Sequence, residues 1–447
     1  MQGVFGILLL QLLTGKRSLQ LVGTLFFVTS PILLHRIGHV ALSAHWLLLA
    51  GLWLYFKPWQ NISAYRPFAS WAILVGLSAL IHPYLTVMVL GLAVAFYGRW
   101  WLVEQHSTVY AASGQLGLLG LLTVVLWWQA GYFLIGSQQM ISNDLGRYSM
   151  NLLSFINPLG WSILIRDFPL ATDGQYEGFG YLGAGLIFLA ILVIYKLSLR
   201  SVTSLTAKQI LPLIIVIIGA LLFALSPKVT IGAWVLFEGH SRWLTVLAPF
   251  QSSGRFLWLA YYFVIFAILR VFITRHALPK AFLFLSLGLA IQLLDLQGIH
   301  RQHRQQRLDA DWQTWNNPLK TKVWTFAASQ YQQITFVPPV ACGEPPTEQL
   351  PFSYLAASYG LTLNTGQAAR FDAEKTALYC QELFAHIQQG QIKNDTIYLI
   401  HPDRLADFKQ FTKVPLTCAT VDEVPTCVTT ESYCQWRDSY QDSLRKH

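Results

Sequence analysis

The sequence predicts a mostly α-helical protein: a multi-span helical membrane domain over residues 1–297, followed by a small α/β domain over 298–447. Three observations predict it. Of 447 residues, 54% are hydrophobic and only 12% are charged, against about 25% charged in ordinary soluble domains. The shortage is confined to the part before Gly298, where apolar runs alternate with short polar stretches; beyond it the sequence reads as ordinary globular protein. All five cysteines (Cys342, Cys380, Cys418, Cys427 and Cys434) lie in that second part.

A spanning helix needs about 20 mostly apolar residues. In chain order the candidates are Leu19–Leu34, Val40–Phe56, Phe68–Ile81, Tyr84–Trp101, Gln115–Ile135, Phe179–Tyr195, Ile210–Leu225, Phe256–Ile273 and Ala281–Leu296. That makes about nine spans. The first apolar run, Val4–Leu13, is half a span with no charged stretch before it, so it is not a secretory signal. It reads as a partial first helix whose start precedes Met1.

Charge orients the spans. The membrane part carries 17 Lys+Arg against 7 Asp+Glu, and the remainder 14 against 15. Alternate connections hold 11 basic residues with Glu104 as the only acid; the other connections hold six basic residues matched by six acids. The positive-inside rule puts the first set in the cytoplasm and, one crossing after Arg275–Lys280, the C-terminal domain outside it. Cysteines confined to that domain suit an oxidising compartment and predict at least one disulfide, expected among Cys418, Cys427 and Cys434, which lie close in sequence. A nucleic-acid partner is excluded, because the second part has no basic patch interleaved with aromatics. The bilayer is the one partner the composition itself requires.

Once oriented, the chemically active residues gather on the outer side. Ser30–Trp46 contains His35, Arg36, His39 and His45. Polar groups at the hydrocarbon edge are costly unless they are paired or bind something. Arg36 with His35 and His39 could grip a phosphate, the guanidinium by bidentate hydrogen bonds, or Arg36 could simply snorkel to lipid headgroups. No carboxylate stands near His35 and His39 to complete a metal site. Phe237–Arg255 brings Glu238, His240, Arg242 and Arg255, the last after Ser252-Ser253-Gly254, small residues that leave backbone N–H groups open to an anion. Asp144 and Arg147, with Arg166 and Asp167, add charge in the long stretch Gly136–Gly178.

Ser30–Trp46, Pro249–Phe256 and a tail with Phe336-Val337-Pro338-Pro339 and Ala368-Ala369-Arg370 together resemble an uncharacterised family of bacterial polytopic inner-membrane proteins related to the GT-C glycosyltransferases. The resemblance covers nearly the whole chain and implies a membrane domain of GT-C type. Such enzymes transfer a sugar from a polyprenyl-phosphate donor at the outer membrane face, using an acid in the first outer loop. That loop would precede Met1 here, which implies a truncated member, inactive unless Glu238 or Asp144 substitutes for the missing acid. Arg36, His39, His35, Arg242, His240 and Arg255 would then bind the donor phosphate. No cofactor is specified.

In the C-terminal part, Ile334–Val337, Leu361–Leu363, Thr396–Ile400 and Val414–Thr420 are strand-like, and Pro351–Tyr359, Ala373–Gln388 and Asp403–Phe411 helix-like. With no Gly-rich phosphate loop, Ser-His-Asp pattern or CxxC, it reads as a binding or lid module. The function expected is transfer of a lipid-linked sugar in envelope polysaccharide or glycolipid assembly. The alternatives are a transporter or flippase of a lipid-linked saccharide, disfavoured by spans nearly devoid of ionisable residues, and a non-catalytic membrane scaffold.

Overall fold

The computed structural model describes residues 1–59, 65–133, 146–197, 207–239, 249–299, 301, 304, 317–366, 373–411, 414–431 and 433. The chain divides into two compact units, the second taking in everything from Ala310 onward.

The first unit is helical: α1 (Gln2–Gln11), α2 (Arg17–Val28), α3 (Pro31–Leu34), α4 (Trp46–Phe56), α5 (Tyr65–Ile81), α6 (Pro83–Leu102), α7 (Val109–Gln129), α8 (Ala184–Leu197), α9 (Ala207–Leu225), α10 (Leu257–Arg275) and α11 (Leu278–Asp295). Among the described residues, five helices are long and apolar enough to cross a membrane: Pro83–Leu102, Val109–Gln129, Lys208–Leu225, Ser253–Arg275 and Leu278–Asp295. The other runs expected to span form shorter apolar helices. Local chemistry explains two of them. Pro31 has no N–H to continue α2, so the run Leu19–Leu34 breaks and Pro31 opens a four-residue helix. The run Phe179–Tyr195 becomes helical only at Ala184, because α11 caps it there. Ala184 N–H donates to the Asp295 carboxylate (3.0 Å), and Gly185 and Leu186 N–H donate to Gln292 Oε1 (3.1 and 3.3 Å). Asp295 also accepts from Ser162 and from Tyr181 Oη, so this buried carboxylate is fully satisfied.

Helix α10 is the axis of the unit, touching α2, α4, α8, α9 and α11. Its buried face (Leu257, Trp258, Tyr261, Tyr262, Ile265, Leu269 and Phe272) forms one continuous core with α2, α4, α6 and α8. Between α7 and α8 the described chain runs over 146–183 without a long helix and packs on a hairpin, β1 (Lys228–Ile231) and β2 (Trp234–Glu238). Buried Asn151 joins the two through its amide, donating to Thr230 Oγ1 (3.1 Å) and the Gly232 carbonyl (2.8 Å). Gln175 Nε2 also donates to Thr230, at 2.6 Å.

The second unit holds a five-stranded sheet in the order β4 (Thr362–Leu363), β3 (Gln333–Val337), β5 (Thr396–Ile400), β7 (Val424–Thr429), β6 (Leu416–Val421). The β4–β3–β5 pairs are parallel and β5–β7 and β7–β6 antiparallel. Strand β5 alternates: Ile397 and Leu399 pack with α12 (Val323–Gln330) and α13 (Gln349–Tyr359), whereas Tyr398 and Ile400 pack with α14 (Ala373–Gln388) and α15 (Leu405–Phe411). Period-two side chains thus seat helices on both faces. Two disulfides, Cys342–Cys380 and Cys418–Cys427, tie the unit, the second joining residues directly opposite in the β6–β7 hairpin.

Candidate functional site

The centre is a buried carboxylate between two guanidinium groups. Arg36 Nη2 donates to Glu177 Oε2 at 2.7 Å and to the Glu177 carbonyl at 3.2 Å. Arg255 forks onto the same carboxylate, Nε to Oε2 at 2.8 Å and Nη2 to Oε1 at 2.9 Å. Arg36 and Glu177 are 6% and 7% exposed. Two cations on one anion leave one net positive charge.

Each side chain is placed by a tight turn. Arg36 follows α3, in a turn where its N–H donates to the Leu33 carbonyl. Glu177 sits in the 3-10 turn Asp173–Gly178, anchored two residues earlier by buried Gln175. Arg255 lies in the 3-10 turn Ser253–Phe256 that opens α10. That turn is pinned by Gly254 N–H to the Tyr148 carbonyl (3.0 Å) and by Ser252 N–H to Tyr84 Oη (2.9 Å). The turns meet through glycine: a Cβ on Gly254 would stand 2.7 Å from Gly178 Cα. The small residues before α10 therefore serve close backbone approach, which is what brings Arg255 to Glu177.

Aromatic rings floor the site. Arg36 lies 5.4 Å from the Trp258 ring and Arg255 4.8 Å from the Tyr84 ring, both within cation–π range. His45, fully buried, sits 4.3 Å from Trp258, with Nδ1 2.7 Å from Tyr262 Oη. Trp258 Nε1, His45 Nε2, His35 Nδ1 and Arg36 Nε are buried without hydrogen-bond partners among the described residues.

The electrostatics follow from this packing. Burial alone would raise the Glu177 pKa, but the Arg255 hydrogen bonds and the Arg36 and Arg255 charges outweigh it and hold the carboxyl at about 2. Burial first, then the neighbouring Arg36 charge, lowers the His35 imidazole to about 4 against the opposing pull of Glu177. At neutral pH His35 is uncharged and Glu177 ionised.

Of the residues expected from sequence, the structure brings Arg36 and Arg255 onto one carboxylate. His35 stands beside Arg36, its ring 4.7 Å from Phe179. His39 is exposed at the margin, its ring 6.3 Å from that of His82, which in turn lies 5.5 Å from Tyr84. Glu238 is on β2, exposed and bonded to Lys228 Nζ at 3.2 Å. Asp144, His240 and Arg242 lie outside the described residues. Sequence reasoning counted Glu177 only among the outer acids, and gave Trp258, Tyr84 and His45 no role. The signal that could have drawn attention to Glu177 is its setting in Asp173-Gly174-Gln175-Tyr176-Glu177-Gly178-Phe179-Gly180, where glycines announce close packing around two acids. Among the described residues no three His, Cys, Asp or Glu side chains gather into a metal-sized set.

Residues 1–297 match the family described as Domain of unknown function (DUF6311), and residues 323–429 match the DUF6311 C-terminal domain. The chain belongs to the DUF6311 family. Comparison with curated proteins and with solved structures returned no match.

Proposed function

We propose that this chain is a membrane glycosyltransferase-like protein that grips the phosphate of a polyprenyl-phosphate-linked sugar through Arg36 and Arg255, in envelope polysaccharide or glycolipid assembly. One observation carries the reading: two guanidinium groups from distant parts of the chain meet at one end of the helical unit with a single carboxylate between them. A phosphate offers both of them the anionic oxygens that Glu177 now supplies, with a pair for each fork. When phosphate takes that place, Glu177 loses the contacts that depress its pKa and becomes a competent base. In the transfer, Glu177 takes the proton of the acceptor hydroxyl, the acceptor oxygen bonds the sugar carbon, and polyprenyl phosphate leaves with the electrons of the broken C–O bond. The guanidinium pair stabilises the charge that develops on it. His35, uncharged, and His39 line the approach, with Glu238, Asp144, His240 and Arg242 as further outer-side candidates. In this reading the site and the disulfide-bearing C-terminal unit face away from the cytoplasm of a bacterial inner membrane, where disulfides persist.

The test is binding of polyprenyl phosphate to the detergent-purified chain, followed by native mass spectrometry. Arg36→Ala or Arg255→Ala loses charge-assisted hydrogen bonds worth roughly 1.5–3 kcal/mol each, hence about tenfold or more in affinity; Arg275→Ala has little effect. Glu177→Gln decides between site and staple. A binding site with its competing carboxylate neutralised holds phosphate more tightly, whereas a purely structural ion pair gives a less stable protein with no gain in binding. Unchanged affinity in folded Arg36→Ala and Arg255→Ala would end the proposal.

A further inference from the structure

A second cationic site lies at the other end of the same helices. Helix α6 carries Tyr84, on which Arg255 rests, in its first turn and Arg99 in its last. Tyr84 and Arg99, 15 residues apart on this helix, stand about 22 Å apart along its axis, most of the way across a bilayer's hydrocarbon core of about 30 Å. Around Arg99, the end of α4 and the start of α9 enclose a cavity of about 600 Å³, lined by Lys57, Trp59, Arg99, Glu104, His106 and Lys208 among others. Arg99 is buried and faces Glu104, with Nε 3.2 Å from the carboxylate. Lys57 Nζ stands 4.6 Å from each of the Trp53 and Trp59 rings, and Lys208 is exposed. Among the described residues neither lysine has an ion-pair partner, and the adjoining sequence 60–64 and 198–206 contains no Asp or Glu.

From this geometry we infer that the cavity binds a phosphate ester through Lys57 and Lys208, with Arg99 supplying a fixed positive wall. The excess charge is about two, because Glu104 offsets one of three cations, and that suits a phosphate mono- or diester. The volume lies within the roughly 300–1,000 Å³ of small-ligand sites and exceeds the needs of a bare ion. Indole rings beside the Lys57 ammonium are the combination that gathers where a bilayer meets water. The same chemistry fits the headgroup of an anionic lipid and a free phosphate compound in the aqueous phase. The site is distinct from Arg36 and Arg255 and does not rest on their role.

The experiment uses the full chain in neutral detergent with three probes: inorganic phosphate, phosphatidylglycerol and, as neutral control, phosphatidylcholine. Bound stoichiometry by native mass spectrometry and the shift in melting temperature are read for wild type, Lys57→Gln/Lys208→Gln and Arg275→Gln. The expected result is saturable binding of phosphate or phosphatidylglycerol, at least tenfold weaker in the double variant and unchanged in Arg275→Gln. Lys208→Gln alone, at an exposed position, weakens it at least threefold, so a folding defect in the double variant does not hide the effect. Loss of a phosphate signal identifies a free phosphate ligand; loss of a phosphatidylglycerol signal alone identifies a lipid headgroup. If neither probe saturates, or if the lysine variants bind like wild type, the inference is overturned.

Discussion

Gly254 rests against Gly178 so closely that no side chain fits between them: a Cβ on Gly254 would lie 2.7 Å from Gly178 Cα and 2.8 Å from both Gly178 N and the Tyr148 carbonyl oxygen. All three obstacles are backbone and cannot rotate away. Arg255 and Glu177 are the residues next to this contact, so ion pairing depends on it. Gly254→Ala is expected to destabilise the unit by about 1–3 kcal/mol, the usual cost of overpacking, and to weaken polyprenyl phosphate binding. Gly219→Ala, where a Cβ meets nothing within 4 Å, should leave the melting temperature unchanged or slightly higher. Equal melting temperatures for the two variants would show that the turns can part without cost.

Stability should fall in two steps on acidification. His35 has a pKa depressed from 6.5 to about 4, so it contributes stability that is complete above pH 6.5 and drains away as pH falls toward 4. Glu177, depressed from 4.5 to about 2, contributes stability present above pH 4.5 and lost toward 2. Of these two groups, only His35 acts between pH 6.5 and 4.5. A series of thermal melts across that range should slope downward for wild type and be flatter for His35→Leu. Parallel slopes would rule out a buried neutral imidazole.

Four of the five cysteines are bonded in pairs. Thiol labelling of unreduced, unfolded protein should therefore find no more than one reactive group, and Cys342→Ser should add one by releasing Cys380. Three or more thiols in wild type would contradict the pairing. A C-terminal reporter active only in the cytoplasm should be silent if this unit lies outside; strong signal would reverse the topology.

How much was legible depended on whether the signal was local. Strand Thr396–Ile400 and helix Ala373–Gln388 appear with the bounds their patterns suggested, because an apolar run and a 3.6-residue period are written in consecutive residues. Strand Val424–Thr429 was hidden by Pro425, which ordinarily argues against a strand; here it sits opposite Thr420 in the hairpin. Helix α12 is only eight residues long, too short for periodicity to declare itself. At the site, Arg36 and Arg255 were readable as charges at helix entrances. Their shared partner was not, since Glu177 lies 141 and 78 residues away. The glycines around it mark a closely packed turn, but that stretch also holds Asp173, and only the folded contact between two turns selects Glu177 as the partner.

Arginine geometry makes the two cations unequal, and this gives the sharpest test of the cluster. Arg255 presents two nitrogens to two carboxylate oxygens, whereas Arg36 reaches the carboxylate with Nη2 alone and spends the same nitrogen on the Glu177 carbonyl. Lysine keeps the charge but has no fork. Arg255→Lys thus removes the bidentate geometry, and Arg36→Lys replaces one donor with another. The hydrogen bonds from Arg255 are the largest influence lowering the Glu177 pKa, ahead of the Arg36 charge. In Arg255→Lys that pKa climbs further back toward 4.5, so the protein is less stable at neutral pH and loses less between pH 4.5 and 2. The acid-dependent drop should rank wild type largest, Arg36→Lys next and Arg255→Lys smallest, with phosphate affinity falling in the same order. Acid titration of the three proteins by tryptophan fluorescence measures the drop. Identical drops in the two variants, or a smaller one in Arg36→Lys, would mean that Glu177 responds to charge alone and that the fork has no special part in holding it.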